Sequence, residues 1–118
     1  MINKRVLALG RLPVGQMNKG EREFSLYLES LQQKGDILSW RFEAFKLRLA
    51  DNCFYTPDFV VLNADRTITL YEVKGYWLGD GRTKIKVAAE QFPYFQFVAV
   101  YKRTKKDGGG WAFESFSP

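Results

Sequence analysis

Residues 55–75 read Y-T-P-D-F-V-V-L-N-A-D-R-T-I-T-L-Y-E-V-K-G, and this stretch decides the fold of the chain. An apolar run at 59–62 follows Pro57, a residue type that suits the start or the edge of a strand. The polar residues 63–66 favour a turn, and a second β-branched and apolar run continues from 68 to 73. Two such runs joined by a short polar turn predict a β-hairpin.

Three charged side chains interrupt this apolar hairpin at one end. Asp58 lies at the entry to the first strand, and Glu72 and Lys74 lie near the exit of the second. Because the turn folds the second strand back, Asp58 and Glu72 should be near neighbours. The two-residue period of a strand places Glu72 and Lys74 on one face and Val73 on the other. The sequence therefore predicts a polar site at this end of the sheet.

The chemistry of this site follows from its two carboxylates. Two close carboxylates repel each other unless a proton or a cation lies between them. Oxygen ligands without His or Cys suit a hard ion, Mg²⁺ or Mn²⁺, better than zinc. Such an ion keeps several waters and prefers phosphate oxygens, and Lys74 would then lie beside the reacting water or phosphate. The pattern therefore favours metal-assisted hydrolysis of a phosphodiester, with a solvated surface hairpin as the simpler structural alternative.

The same residues resemble the motif of the PD-(D/E)XK nuclease superfamily. Pro57-Asp58 is followed, after thirteen residues, by Glu72-Val73-Lys74. The wider wording is N-K-G-E at 18–21, Y-T-P-D-F at 55–59 and E-V-K-G at 72–75, and it is similar to a family of small phage and prophage endonucleases. Holliday-junction resolvases and the transposase endonuclease subunit TnsA share this core. The resemblance covers the chain from about Asn18 to Arg103.

This resemblance implies a restriction-endonuclease-like fold, which is a single α/β domain with a central mixed β-sheet flanked by helices. We expect the nuclease domain to span residues 18–118 and residues 1–17 to form an N-terminal arm. The implied activity is that of a Mg²⁺-dependent (or Mn²⁺-dependent) DNA endonuclease. The implied source is a phage protein in the cytoplasm of a bacterial host.

The motif positions also imply roles for single residues. Asp58 and Glu72 would bind the metal ion, with the Val73 carbonyl as a third ligand. Lys74 would orient or deprotonate the attacking water and stabilise the transition state. Glu21 would complete the metal shell or hold a second water.

The choice of Glu21 depends on a predicted helix that begins at Asn18 and ends near Gln33. The helical period gives the apolar stripe of this helix and the position of each acid relative to that stripe. Glu21 and Glu23 lie about 200° apart around this helix, on opposite edges of the stripe. Either acid is also favourable in a first helical turn because of the helix dipole. Spacing alone leaves the choice between Glu21 and Glu23 open, and the sequence motif of the resembling nucleases favours Glu21.

Composition excludes several other kinds of site. The chain of 118 residues contains no histidine, which removes Ser-His-Asp and Cys-His catalysis and most zinc hydrolases. One cysteine allows no internal disulfide, as expected for a cytosolic protein. A net charge of +5 favours a polyanionic partner. No stretch approaches the length of a membrane span.

The remaining pattern predicts a helix, three or four strands, a second helix and one or two further strands. The first helix should bury Phe24, Tyr27, Leu28 and Leu31. Strands are predicted at 37–42, 44–49, 94–101 and 111–116, and the second helix at 83–92. The strand at 44–49 alternates, with Phe45, Leu47 and Leu49 inward. The strand at 94–101 is apolar on both faces, as a central strand would be.

Basic residues in the second half of the chain are the predicted DNA contacts. They are Arg82, Lys84 and Lys86 on the second helix and Lys102, Arg103, Lys105 and Lys106 in a flexible loop. Resembling nucleases place a basic residue of this helix beside the cleaved phosphate, which implies Lys84 or Lys86. The loop at 76–81 contains Trp77, which would either contact bases or cover the core.

Two other functions stay open at this stage. The chain could be a non-catalytic nucleic-acid-binding protein on a nuclease-like scaffold, or a phage protein that inhibits a host protein. Only the enzyme explains Asp58, Glu72 and Lys74 together, because carboxylates that face DNA repel phosphate unless a metal intervenes. We expect so small a chain to carry no separate recognition domain, which favours structure-selective cleavage of branched DNA or weak sequence specificity. Cutting both strands would require a homodimer.

Overall fold

The computed structural model describes residues 15–75 and 81–117. Most of the predicted N-terminal arm and the loop residue Trp77 lie outside these two ranges. Within the ranges, no helix is both long and apolar enough to cross a membrane.

The described residues form a compact α/β domain with one mixed sheet. Its elements are helix α1 (Lys19–Lys34), strands β1 (Ile37–Phe42), β2 (Leu47–Ala50), β3 (Cys53–Tyr55), β4 (Phe59–Asn63) and β5 (Ile68–Val73), helix α2 (Gly81–Gln91), and strands β6 (Gln96–Lys102) and β7 (Trp111–Ser115). Five strands form the main sheet in the order β1-β4-β5-β6-β7, and β2 and β3 form a separate two-stranded sheet. Strands β5 and β6 are parallel and the other neighbours are antiparallel, which confirms the predicted α/β class and mixed sheet.

The central hairpin has the predicted register. Phe59 pairs with Tyr71 at one end, and Leu62 pairs with Ile68 beside the turn. The turn is closed by backbone hydrogen bonds between Asn63 and Thr67 and between Arg66 and Asn63. This register leaves the residues just before β4 and at the end of β5 side by side, which is the geometry that the site requires.

Alternating side chains of the sheet divide the core into two layers. Helix α1 covers one face, in a cluster of Phe24, Leu28, Ile37, Phe59, Val61 and Val100. Helix α2 and the small sheet cover the other face, in a cluster of Leu47, Tyr55, Leu70, Ile85, Ala88, Ala89 and Phe97. Because α2 lies between the parallel strands β5 and β6 in sequence, it supplies the crossover that a parallel pair needs. The first hydrophobic stripe is only partly as predicted, since Tyr27 and Leu31 are half-buried.

Three details of the strand prediction are wrong. The strand predicted at 44–49 begins at Leu47, and Phe45 is exposed instead of inward. The small sheet consists of strands of four and three residues, too short to bury a further side chain. This extra hairpin also raises the number of strands between the helices to five, above the predicted three or four.

Candidate functional site

Asp58 is fixed at the open end of the central hairpin. It immediately precedes β4, and its Oδ2 accepts a hydrogen bond from the backbone N–H of Val73 at 2.8 Å. Its own carbonyl accepts the N–H of Glu43 at 2.8 Å. The side chain is therefore tied to the end of β5, next to Glu72, as the hairpin register requires.

Glu72 lies between two donors that hold both of its carboxylate oxygens. The phenol O–H of Tyr55 donates to Oε1 at 3.0 Å, and the ammonium of Lys74 lies 3.2 Å from Oε2. The side chain of Glu72 is 13% exposed, so these contacts replace most of its water. The structure therefore brings Glu72 and Lys74 together on one face, beside Asp58.

Tyr55 is a site residue that the sequence reasoning missed. It ends β3, is 6% exposed, and packs within the α2 cluster while its hydroxyl reaches Glu72. A tyrosine three residues before Asp58 was visible in the sequence. No local pattern, however, shows that the small sheet folds over the end of the main one.

Glu21 lies near the same site, in the first turn of α1. Its backbone N–H donates to the side chain of Asn18 and its Oε1 accepts the N–H of Asn18, each at 2.8 Å, which forms a capping box. Its charge lies close enough to raise the pKa of both Asp58 and Glu72. Glu23 instead forms an ion pair with Lys102 of β6. The two acids of the helix thus face different neighbours.

Burial and mutual repulsion control the electrostatics of the site. Burial raises the pKa of Asp58 well above its usual range, and the neighbouring Glu72 raises it further, against the Val73 N–H that lowers it. Burial also raises the pKa of Glu72, although Lys74 and the Tyr55 hydroxyl oppose the change. Burial, followed by the charge of Glu72, raises the pKa of Tyr55, so the phenol stays a neutral donor. The carboxylates are thus gathered in an environment that disfavours their ionised forms.

A hard cation fits this donor set on chemical grounds. The acids are oxygen donors. The charge of Glu72 raises the pKa of Asp58, and the charge of Glu21 raises the pKa of both, so that a cation would relieve this repulsion. Mg²⁺ needs only one or two protein carboxylates because it keeps several waters. Within residues 15–75 and 81–117, no three His, Cys, Asp or Glu side chains are already gathered at ligand spacing. Asp58 and Glu72 therefore form the central pair, and the Glu21 carboxylate is held by the helix cap.

The raised pKa values predict an unusual pH dependence of stability. The protonated acids favour the folded state, so their stabilisation is complete below the unfolded-state pKa of about 4 and is lost as the pH rises through the raised folded-state pKa. The free energy of unfolding of the metal-free protein should therefore fall as the pH rises across this window. Urea denaturation in EDTA at a series of pH values would measure the slope, and Asp58→Asn should flatten it. A wild-type stability that increases with pH over the same window would contradict the expectation.

Three of the predicted DNA contacts have protein partners. Arg82 forms an ion pair with Glu114 of β7, and Tyr101 also donates to Glu114, at 2.9 Å. Lys102 is paired with Glu23, as described above. A guanidinium nitrogen of Arg103 donates to the carbonyl of Asp107. These three side chains therefore form contacts within the domain.

Helix geometry separates Lys84 from Lys86. The side chain of Gln91 donates to the carbonyl of Leu49 in β2 at 3.3 Å, so this flank of α2 faces the small sheet that carries Tyr55. Lys84 lies seven residues earlier, about 20° from Gln91 around the helix, and is half-buried. Lys86 lies about 140° away from Gln91 and is exposed. Lys84 is therefore the α2 lysine on the side of the small sheet.

The predicted flexible loop after β6 has a defined turn. Residues Lys105–Asp107 form a 3-10 turn, in which the N–H of Asp107 donates to the side-chain hydroxyl of Thr104. Lys105 and Lys106 are exposed on this turn.

The structure thus brings Asp58, Glu72, Lys74 and Tyr55 together, with Glu21 near them. The Val73 peptide joins the group through its N–H. Comparison of the chain with protein-family models, with curated proteins and with solved structures found no match.

Proposed function

We propose that this protein is a metal-dependent DNA endonuclease that hydrolyses phosphodiester bonds. The observation that carries the proposal is the convergence of the partly buried acids Asp58 and Glu72 with Lys74 at one end of the sheet. Burying two acids together raises their free energy, so a fold gains nothing from it unless a cation or a proton is used there. Structural ion pairs also shift pKa values, but a purely structural pair would unite opposite charges.

The fold and the family are proposals of the same kind. The order of the strands, the α2 crossover and the placement of Pro57-Asp58 and Glu72-Val73-Lys74 support a restriction-endonuclease-like fold. The same placement supports membership of the PD-(D/E)XK superfamily. Small phage endonucleases of this kind would act in the cytoplasm of a bacterial host.

The residues of the site have separate roles in the proposed reaction. Asp58, Glu72, Glu21 and the Val73 carbonyl would hold Mg²⁺ or Mn²⁺, which supplies a Lewis acid for the phosphate and a more acidic water. Lys74, whose ammonium lies 3.2 Å from Glu72, orients the attacking water and places positive charge beside the phosphate. Lys84 adds a second positive charge from the flank of α2.

Tyr55 acts on the reaction through Glu72. Its hydroxyl holds Oε1 while Lys74 approaches Oε2, so the carboxylate cannot rotate freely. A fixed ligand reduces the reorganisation needed when substrate binds. Tyr55 is thus a positioning residue in this proposal.

The substrate is proposed to be branched DNA or DNA of weakly specified sequence. The net charge of +5 provides the attraction for a polyanion. The exposed lysines of the 3-10 turn and of α2 suit contacts with the DNA backbone, which carry no sequence information. Cleavage of both strands would require a two-fold dimer.

A panel of labelled substrates tests the proposal. Single-stranded, duplex, flap and four-way-junction DNA would be incubated with the protein in Mg²⁺, in Mn²⁺ and in EDTA, and the products separated on denaturing gels. We expect internal cleavage in Mg²⁺ or Mn²⁺ and none in EDTA, with the branched substrates cut fastest. Binding of DNA without cleavage of any substrate in either metal would reject the enzyme and favour a non-catalytic DNA-binding protein.

A further inference from the structure

Gly20 lies in the first turn of α1, where neither the backbone nor the packing requires a glycine. Its conformation is helical, and an added methyl group would lie 3.6 Å from Oδ1 of Asn18 and 3.6 Å from Cγ1 of Val73, which are ordinary contact distances. Glycine also stabilises a helix less than alanine, because it loses more backbone entropy on folding. Close approach of a ligand to the backbone is one of the reasons for which a position requires glycine.

Gly20 opens onto a cleft of about 310 Å³ between the start of α1 and the ends of β5, β6 and β7. Its described lining includes Asn18, Gly20, Val73, Lys74, Lys102 and Trp111. Pockets that bind small molecules span roughly 300–1,000 Å³, so the cleft can hold a group of nucleotide size. Because Lys74 also contacts Glu72, the cleft adjoins the carboxylate site across the end of β5.

The chemistry of the lining suits a nucleotide. Lys102 and Lys74 both line the cleft, with their ammonium groups paired with Glu23 and Glu72, and Trp111 adds an apolar side chain. This indole is half-buried and held edge-on against Phe24, with 5.1 Å between ring centroids, so it is a rigid surface. Bases stack on aromatic side chains, while phosphates pair with ammonium groups.

The N-terminus of α1 alone does not account for this cleft. The N–H of Glu21 is already capped by Asn18, and the carboxylate of Glu21 adds negative charge in the same turn. A lone anion would therefore be poorly placed there. A ligand that combines an apolar ring with a phosphate uses Trp111 and Lys102 together.

We propose that this cleft binds a nucleotide of the DNA strand that flanks the phosphodiester at the carboxylate site. The base or sugar lies against Trp111, the phosphate lies beside Lys102, and Gly20 allows the close approach to α1. The choice of DNA as ligand rests on the proposed function.

Variants of Gly20 provide the test. Binding of a short fluorescein-labelled oligothymidine would be measured by fluorescence anisotropy in EDTA, so that metal-dependent cleavage does not interfere. Gly20→Gln should fill the cleft and weaken binding about tenfold, with a melting temperature equal to or above that of the wild type. Gly20→Ala should raise the melting temperature and weaken binding severalfold.

Matched charge variants test the role of Lys102. Lys102→Gln should weaken binding, whereas Lys34→Gln removes the same charge from the exposed far end of α1 and should bind almost as the wild type does. Equal weakening by these two variants would overturn the proposal, because only the net charge would then matter. Wild-type affinity in Gly20→Gln would overturn it as well. If Gly20→Gln does not fold, Gly20→Ala provides the test. Unchanged affinity in that variant would also overturn the proposal.

Cleavage assays in Mg²⁺ separate this inference from the proposed function. If the Gly20 variants bind DNA more weakly and the wild type shows no cleavage, the nuclease function is rejected and the nucleotide-binding cleft is supported. If cleavage depends on Asp58 and Gly20→Gln binds DNA normally, the nucleotide-binding cleft is rejected and the nuclease function is supported.

Discussion

Asp58→Asn should lower Mg²⁺-dependent DNA cleavage on the order of 10³-fold or more while making the metal-free protein more stable at neutral pH. The substitution removes a negative charge that burial and Glu72 already disfavour. The asparagine Oδ1 can still accept the N–H of Val73, and its amide can donate to Glu72, so the fold keeps its contacts. The heat of Mn²⁺ binding in calorimetry should disappear along with the activity.

Asp65→Asn is the matched control for this experiment. Asp65 belongs to the turn of the same hairpin, is fully exposed, and accepts hydrogen bonds from Thr67 that lower its pKa. The same chemical change there should leave cleavage and Mn²⁺ binding unchanged and should not raise stability. Near-normal cleavage by Asp58→Asn in Mg²⁺ would show that the metal site has been assigned to the wrong residue.

Glu21→Gln should reduce cleavage by about 10²-fold, whereas Glu23→Gln should change it little. The glutamine at position 21 can still accept the N–H of Asn18, so the capping box and the start of α1 are retained. What is lost is the negative charge that reaches Asp58 and Glu72 and that a cation would use. Glu23→Gln breaks a solvent-accessible ion pair with Lys102, a type of contact that contributes about 0.2–1 kcal/mol.

The two variants form a pair with identical chemistry and positions two residues apart. Both would be assayed on one substrate at saturating Mg²⁺ and again in Mn²⁺, with thermal denaturation as the check on folding. Loss of activity in Glu23→Gln alone, or equal activity of both variants, would contradict the assignment of Glu21. A loss in Glu21→Gln that accompanies a large fall in melting temperature would point to the helix cap instead of the site.

The sequence by itself determined the hairpin and the pairing of its charges. Strand periodicity and a short polar turn are local properties, and together they require Asp58 to lie beside the end of β5 and Glu72 to share a face with Lys74. The start of α1 was equally local, since Asn18 and Glu21 form their capping box within four residues. Each of these features is set by neighbours in the chain, so one sequence sufficed to predict it.

The tertiary structure alone decided which distant residues meet the hairpin. Tyr55 reaches Glu72 because the small sheet folds over the end of the main one, and Glu23 meets Lys102 across seventy-nine residues. Lys84 and Lys86 look alike in sequence, and only the packing of α2 against β2 separates them. Phe45 continues an alternating pattern but is exposed, because the two-stranded sheet beside it is too small to bury it. These outcomes depend on how layers pack, and packing is a property of the whole chain that no local period encodes.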